Sequence, residues 1–111
     1  MTYAHKIKKE EARIDWRQSA VQIDRQVRAF NPWPIAETRW QDQQLRVWEA
    51  TPLITTHSAS PGTVVGADAR GIVIATGEGE LMIELLQLAG RKAMSAADFI
   101  NAHRIVGARL G

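Results

Sequence analysis

Ile72-Val73-Ile74-Ala75-Thr76-Gly77-Glu78-Gly79-Glu80-Leu81-Met82-Ile83-Glu84-Leu85-Leu86-Gln87-Leu88 decides the fold. Two short runs rich in branched apolar residues flank Gly-Glu-Gly. Each run has strand length, and a glycine-bounded turn between two such runs reads as a hairpin. A dinucleotide-binding loop would need a helix after the glycines, and here a second apolar run follows instead. Working backwards, Asp68-Ala69-Arg70-Gly71 is a turn and Thr63-Val64-Val65 a short strand entered through Pro61-Gly62. Leu45-Arg46-Val47-Trp48-Glu49-Ala50 alternates apolar with polar, as a half-buried antiparallel strand does. That strand can extend to Ile54, with Pro52 restricting it to an edge or a bulge. Ile35 to Trp40 predicts the strand before it, joined by a turn at Asp42-Gln43-Gln44.

The flanks are helical. Ser19-Ala20-Val21-Gln22 has the form of a capping box, and Ala20, Ile23, Val27 and Phe30 follow at helical spacing. A helix over 20–30 is expected. It must stop before Pro32, which disfavours helical geometry at Asn31. Ala29-Phe30-Asn31-Pro32-Trp33-Pro34-Ile35-Ala36 is therefore punctuation, with Trp33 packed into the junction. At the other end, Gly90 closes the strand set and Ser95-Ala96-Ala97-Asp98 starts a short helix reaching about His103. Gly107 and Gly111 mark a loose C-terminus. Short strands at regular spacing between two helices predict a mainly β fold. The expected form is an open Greek-key, oligonucleotide-binding-like barrel of about five or six strands, with an N-terminal helix and a short C-terminal helix. Residues 1–15, polar and without a period, read as a linker or arm, and 16–111 as the barrel domain.

The chain has 111 residues, enough for one domain that buries a core unaided. It has no cysteine, which removes disulfides, thiolate metal sites and cysteine nucleophiles together. No apolar run is long enough to cross a bilayer and no secretory leader is evident, so a cytoplasmic location without membrane contact is expected. His5, His57 and His103 lack metal-ligand spacing, so no metal site is expected. Glu78, Glu80 and Glu84 lie on turn and strand faces where solvated charge is the ordinary reading, so no catalytic residue is assigned. Trp16, Trp33, Trp40 and Trp48 mostly fall where a core is expected.

Charge is distributed unevenly. The net charge of +2 divides into +3 over residues 1–34, −4 over 35–90 and +3 over 91–111. If the two basic ends meet, they offer a positive surface to a polyanion. The cations best suited to contact phosphates are Lys6, Lys8, Lys9 and Arg13 on the arm, and Arg91 and Lys92 in the Ala-Gly-Arg-Lys-Ala-Met loop. Without stacking aromatics, recognition of structured RNA by shape and charge fits better than single-strand reading.

Five separated motifs carry a family likeness. They are Lys8-Lys9-Glu10-Glu11-Ala12-Arg13-Ile14-Asp15-Trp16, Arg28-Ala29-Phe30-Asn31-Pro32-Trp33-Pro34, Pro61-Gly62-Thr63, Ala75-Thr76-Gly77-Glu78-Gly79, and Leu88-Ala89-Gly90-Arg91-Lys92-Ala93-Met94-Ser95-Ala96-Ala97-Asp98-Phe99. In this order the chain resembles the C-terminal domain of methionyl-tRNA formyltransferase over nearly its whole length. The resemblance implies a parent enzyme that formylates the amino group of methionine on initiator tRNA in translation initiation, using 10-formyltetrahydrofolate. Its catalytic domain would precede the first residue here. It implies no cofactor bound by this domain, partnership with initiator methionyl-tRNA and with that N-terminal catalytic domain, and a monomer. It assigns a tRNA-facing role to Lys8, Lys9, Arg91 and Lys92, and more loosely to Lys6 and Arg13. Arg39 and Arg46 have no such basis. Two other readings stay open: a structural C-terminal domain of a folate or sugar-nucleotide formyltransferase without nucleic-acid contact, and a self-standing enzyme.

Overall fold

The computed structural model describes residues 13–29, 35–54 and 59–110. Helix α1 spans Ala20–Ala29, followed by strands β1 (Glu37–Trp40), β2 (Gln43–Leu53), β3 (Val64–Asp68), β4 (Gly71–Ala75), β5 (Glu80–Leu88) and β6 (Met94–Ser95), then helix α2 (Ala96–Ala102). The strands form one antiparallel sheet in the order β1-β2-β5-β4-β3, with β6 paired to β5. Strands β3, β4 and β5 follow one another as hairpins, and β2 returns by a long connection to lie beside β5. That is the Greek-key arrangement expected from the strand spacing.

Alternation builds the core. Leu45 and Val47 of β2, Ile72 and Ile74 of β4, and Leu81, Ile83 and Leu86 of β5 are fully or almost fully buried. Their neighbours Arg46, Trp48, Val73 and Met82 remain partly exposed. Helix α1 lies against β2 and β5 and contributes Ile23 and Val27. The capping box forms as read: the Ser19 hydroxyl accepts from the Gln22 N–H and the Gln22 side chain accepts from the Ser19 N–H, both at 3.2 Å. Ser95 caps α2 by accepting from the Asp98 N–H at 3.2 Å, and Phe99 carries that helix into the core.

Two details differ from the sequence reading, the β1–β2 turn and the C-terminal segment, and two others, Pro52 and the sixth strand, sharpen it. The β1–β2 turn lies at Gln41 and Asp42, both at positive φ (51° and 63°), and Gln43 already belongs to β2. Two central residues at positive φ match the twist of the flanking strands, so the hairpin closes earlier than composition suggests. Strand β2 tolerates Pro52 because β1 pairs only as far as Arg46, leaving that end with β5 as its single strand partner. A bulge between Val47 and Ala50 adds a kink. The pair Met94–Ser95 makes a sixth strand too short to show a period. The C-terminal segment is not loose: Gly107 N–H donates to Val64 O (2.9 Å), Val64 N–H to Ala108 O (2.8 Å), and Leu110 N–H to Gly62 O (2.8 Å). Ile105 and Leu110 are buried, so apolar anchoring outweighs the freedom of Gly107.

The sheet does not close. Its two free edges are occupied by the ends of the described chain. Arg13 bridges Glu37 on the β1 edge, with the Ile14 N–H donating to Glu37 O at 2.7 Å. Arg109 bridges Thr63 just before β3. Trp16 and Leu110, both buried, fill the seam between them, and the Trp16 indole N–H donates to the Thr38 hydroxyl at 2.9 Å. Phenylalanine at position 30, Trp33 and the two prolines around it lie outside the described residues.

Candidate nucleic-acid interface

The register of the sheet lines up side chains that the sequence separates. Arg13 sits opposite Glu37, Glu37 opposite Arg46, and Arg46 opposite Gln87. All four alternate with buried neighbours and so share the outer face. With neighbouring strands about 4.8 Å apart, this row is about 15 Å long. Arg39 lies on the same face two residues along β1, opposite Gln44. The acid in the row is already engaged, since Gln44 Nε2 donates to Glu37 Oε2 at 2.7 Å. Asp42 at the hairpin tip and Glu49 at the bulge are exposed and border the patch.

The row ends at the loop after β5. Gln87 Nε2 donates to the Arg91 carbonyl at 2.7 Å, and the Arg91 N–H donates to Leu88 O at 3.0 Å. The Ala89 N–H reaches across to Gln44 O at 3.0 Å. The loop backbone is therefore tied to β2 and β5, while the side chains of Arg91 and Lys92 stand in solvent. Trp48 is half-buried, its indole N–H donating to Gln87 Oε1 at 3.0 Å. Gln87 thus joins the half-exposed indole to the basic loop. A hydrogen-bonded support under exposed cationic tips suits contact with phosphates, where position matters and sequence does not.

Of the residues expected at the site, Arg13 is exposed at one end of the row, and Arg91 and Lys92 are exposed at the other. Lys6, Lys8 and Lys9 lie outside the described residues. Arg39 and Arg46 belong to the face but were not singled out. Alternation over 45–50 was the signal available, because it already turns Arg46 to the side opposite Leu45 and Val47. Gln87 escaped because its role is to brace a loop, and no motif marks that.

Other chemistry has little support on the described residues. No group of three or more His, Asp or Glu is arranged to hold a metal ion. Glu84 accepts a hydrogen bond from the Thr51 hydroxyl at 2.7 Å and remains exposed, as does Glu78 in its turn. His103 is half-buried and packs on Phe99 and Trp40, with ring centroids 4.7 and 5.3 Å away. Asp24 is buried, pairing with Arg28 through one carboxylate oxygen at 3.1 Å. No helix is long and apolar enough to cross a membrane among the described residues.

An open Greek-key barrel of this kind has the oligonucleotide-binding-like fold. More narrowly, the chain belongs to the formyl transferase C-terminal domain family, whose pattern matches residues 6–104. It is 56% identical over 102 residues to methionyl-tRNA formyltransferases from Coxiella burnetii strains RSA 331 and RSA 493, a match covering 92% of this chain and 32% of each relative. The chain thus spans about a third of the length of these relatives, the part that the family places at the C-terminus. Among solved structures, it superposes on HypX from Aquifex aeolicus with a TM-score of 0.71 and 21% identity, covering 87% of this chain and 18% of that one. A second HypX structure, in complex with tetrahydrofolic acid, gives the same TM-score over 86% of this chain and 17% of that one. These structural matches bear on the fold.

Proposed function

We propose that this chain is the tRNA-gripping accessory domain of a methionyl-tRNA formyltransferase, acting in translation initiation in the cytoplasm. The N-terminal catalytic part of the same protein would carry 10-formyltetrahydrofolate and the formyl transfer to the methionyl amino group of initiator tRNA. This domain would bind no cofactor and would function as part of a monomer. The supporting observation is the outer-face row: Arg13 at one end, Arg46 in the middle and the Arg91–Lys92 loop at the other. Similarity to methionyl-tRNA formyltransferases over 92% of the chain supports the choice of substrate. The arm lysines Lys6, Lys8 and Lys9 precede Arg13 in sequence and belong to the same proposed contact.

The test is salt-dependent retention of initiator tRNA. Reversing Lys8, Lys9, Arg91 and Lys92 together to Glu should weaken low-salt binding about tenfold or more and flatten its salt dependence. Retention no better than that of a neutral protein of similar size would overturn the reading. It would favour instead a structural domain of a formyltransferase without nucleic-acid contact.

A further inference from the structure

The seam between the sheet edges holds a second concentration of cations, of which only Arg13 was singled out by a motif. A groove of about 600 Å³ opens there, lined by residues 13–17 from one end of the chain and by Pro61, Arg109 and Leu110. Its floor is apolar: Ile14 and Trp16 are each 5% exposed and Leu110 is 3% exposed. Its rim carries Arg13, Arg17 and Arg109 against a single acid, Asp15. That acid is occupied by Arg17, whose Nε and second guanidinium nitrogen donate to the two carboxylate oxygens at 3.0 and 3.1 Å. Arg13 and Arg109 enter no ion pair that the described residues form.

These two arginines are brought together by backbone pairing rather than by their own side chains. Arg13 is fixed by its bridge to Glu37 and Arg109 by its bridge to Thr63, on opposite edges of the open sheet. Bringing two like charges to one groove opposes folding slightly, and an anion between them relieves that repulsion. Guanidinium groups suit phosphate oxygens, which they meet in a bidentate fork. An apolar floor beneath them accepts the sugar of the same nucleotide. Arg13 also begins the outer-face row, so the groove continues the proposed RNA surface around the barrel edge.

The geometry points to this seam as a phosphodiester-binding groove for one nucleotide of the RNA backbone, with Arg109 and Arg13 as its contacts. The inference rests on the RNA-binding reading above and adds a site on the far side of Arg13 from the Arg91–Lys92 loop. Arg109 is the decisive position, because its fold contacts run through the main chain and its side chain is exposed.

The experiment compares initiator tRNA binding from 50 to 200 mM salt by four forms of the 111-residue chain. They are wild type, Arg109→Glu, Arg91→Glu with Lys92→Glu, and Arg25→Glu as an equal charge change on the exposed face of α1. Circular dichroism monitors folding, and Arg109→Gln repeats the comparison without reversing the charge. The expected result is a low-salt affinity about fivefold or more weaker for Arg109→Glu and a salt slope smaller by about one, with Arg25→Glu within about twofold of wild type. If Arg109→Glu and Arg109→Gln bind like Arg25→Glu while the loop variant is weakened, the groove is refuted and the wider RNA reading stands. If wild type does not bind tRNA, both fall. If polyglutamate displaces the chain from tRNA as effectively as RNA does, the groove belongs to an acidic protein and the nucleotide assignment is wrong.

Discussion

Strand β5 is entered through Gly77-Glu78-Gly79 and left through Gly90-Arg91-Lys92, and the two connections differ in what surrounds them. At the first, the Gly77 N–H donates to Trp16 O and Gln18 O at 2.9 and 3.0 Å, and the Ala20 N–H donates to Glu78 O at 2.9 Å. A Cβ built on Gly77 would lie 1.8 Å from the Arg17 carbonyl oxygen. At the second, a Cβ on Gly90 would meet nothing within 4 Å, although its φ of +76° is one that favours glycine. The entry turn is the point where residues 16–18 and the start of α1 lock onto the sheet. The exit loop keeps its backbone on the barrel and its cations outside it. Both motifs carry the family likeness, but one serves packing and the other serves the surface.

The strongest way to break this contrast is to add one methyl group at each site. Gly77→Ala forces the backbone of residues 16–18 off the turn and should cost about 3 kcal/mol or more, lowering the midpoint of thermal unfolding by about 12 °C or more. Gly90→Ala incurs only the conformational cost of positive φ, about 1 kcal/mol. Thermal melts of the two variants side by side decide the matter. Equal losses would mean that the turn at 77–79 is no more an anchor than the loop at 90–92.

A smaller change sharpens the same point. The N-terminus of α1 rests on the entry turn, with Ser19 in a bridge to Glu78 and in the capping box with Gln22. Ser19→Ala removes the hydroxyl acceptor and should cost about 1 kcal/mol, read from urea unfolding with an unchanged denaturant slope. Because the backbone bond from the Ala20 N–H to Glu78 O survives, the loss stays below that of Gly77→Ala. A larger loss would show that the cap, rather than the close approach of Gly77, holds α1 to the sheet.

What could be read without coordinates follows from the range of each signal. Local hydrogen-bond patterns were legible: the capping box at Ser19, the cap at Ser95 and the turn at 77–79 need only neighbouring residues. The side of each strand facing the core was legible where alternation was clean, as in Leu45-Arg46-Val47. Sheet order was harder, because Arg46 meets Gln87 through pairing between strands that are far apart in sequence. The candidate site suffered most for that reason. Arg91 and Lys92 stand out as a motif, whereas Arg46 gains meaning only when its row runs from Arg13 to Gln87. Arg109 was misjudged with its segment, since Gly107 and Gly111 suggested looseness while Ile105 and Leu110 are buried on the far edge.

The smallest effect concerns a third turn, where hydrogen bonding operates almost without burial. At the β3–β4 hairpin, Asp68 Oδ1 accepts from the Arg70 and Gly71 N–H groups at 2.8 and 3.3 Å. The Arg70 backbone bond is the leading reason that the Asp68 carboxyl is held below the usual carboxylate range; the Arg70 side chain and the Gly71 N–H add to it. At the seam, hydrogen bonds from the Arg17 side chain and backbone hold Asp15 low in the same way. A folded-state pKa below the unfolded one contributes stability above about pH 4, and that contribution fades as pH falls through the folded pKa. Asp68 and both arginines are largely exposed and Asp15 is half-exposed, so solvent screens most of the gain. Urea unfolding of wild type and Asp68→Asn between pH 6 and pH 2.5 isolates one of them. Wild type should hold a slight advantage at the upper end and lose it below about pH 4, where the neutral acid no longer accepts strongly. Curves that stay parallel over the whole range would show that the turn draws nothing from the ionised carboxylate, leaving main-chain pairing between β3 and β4 to hold it.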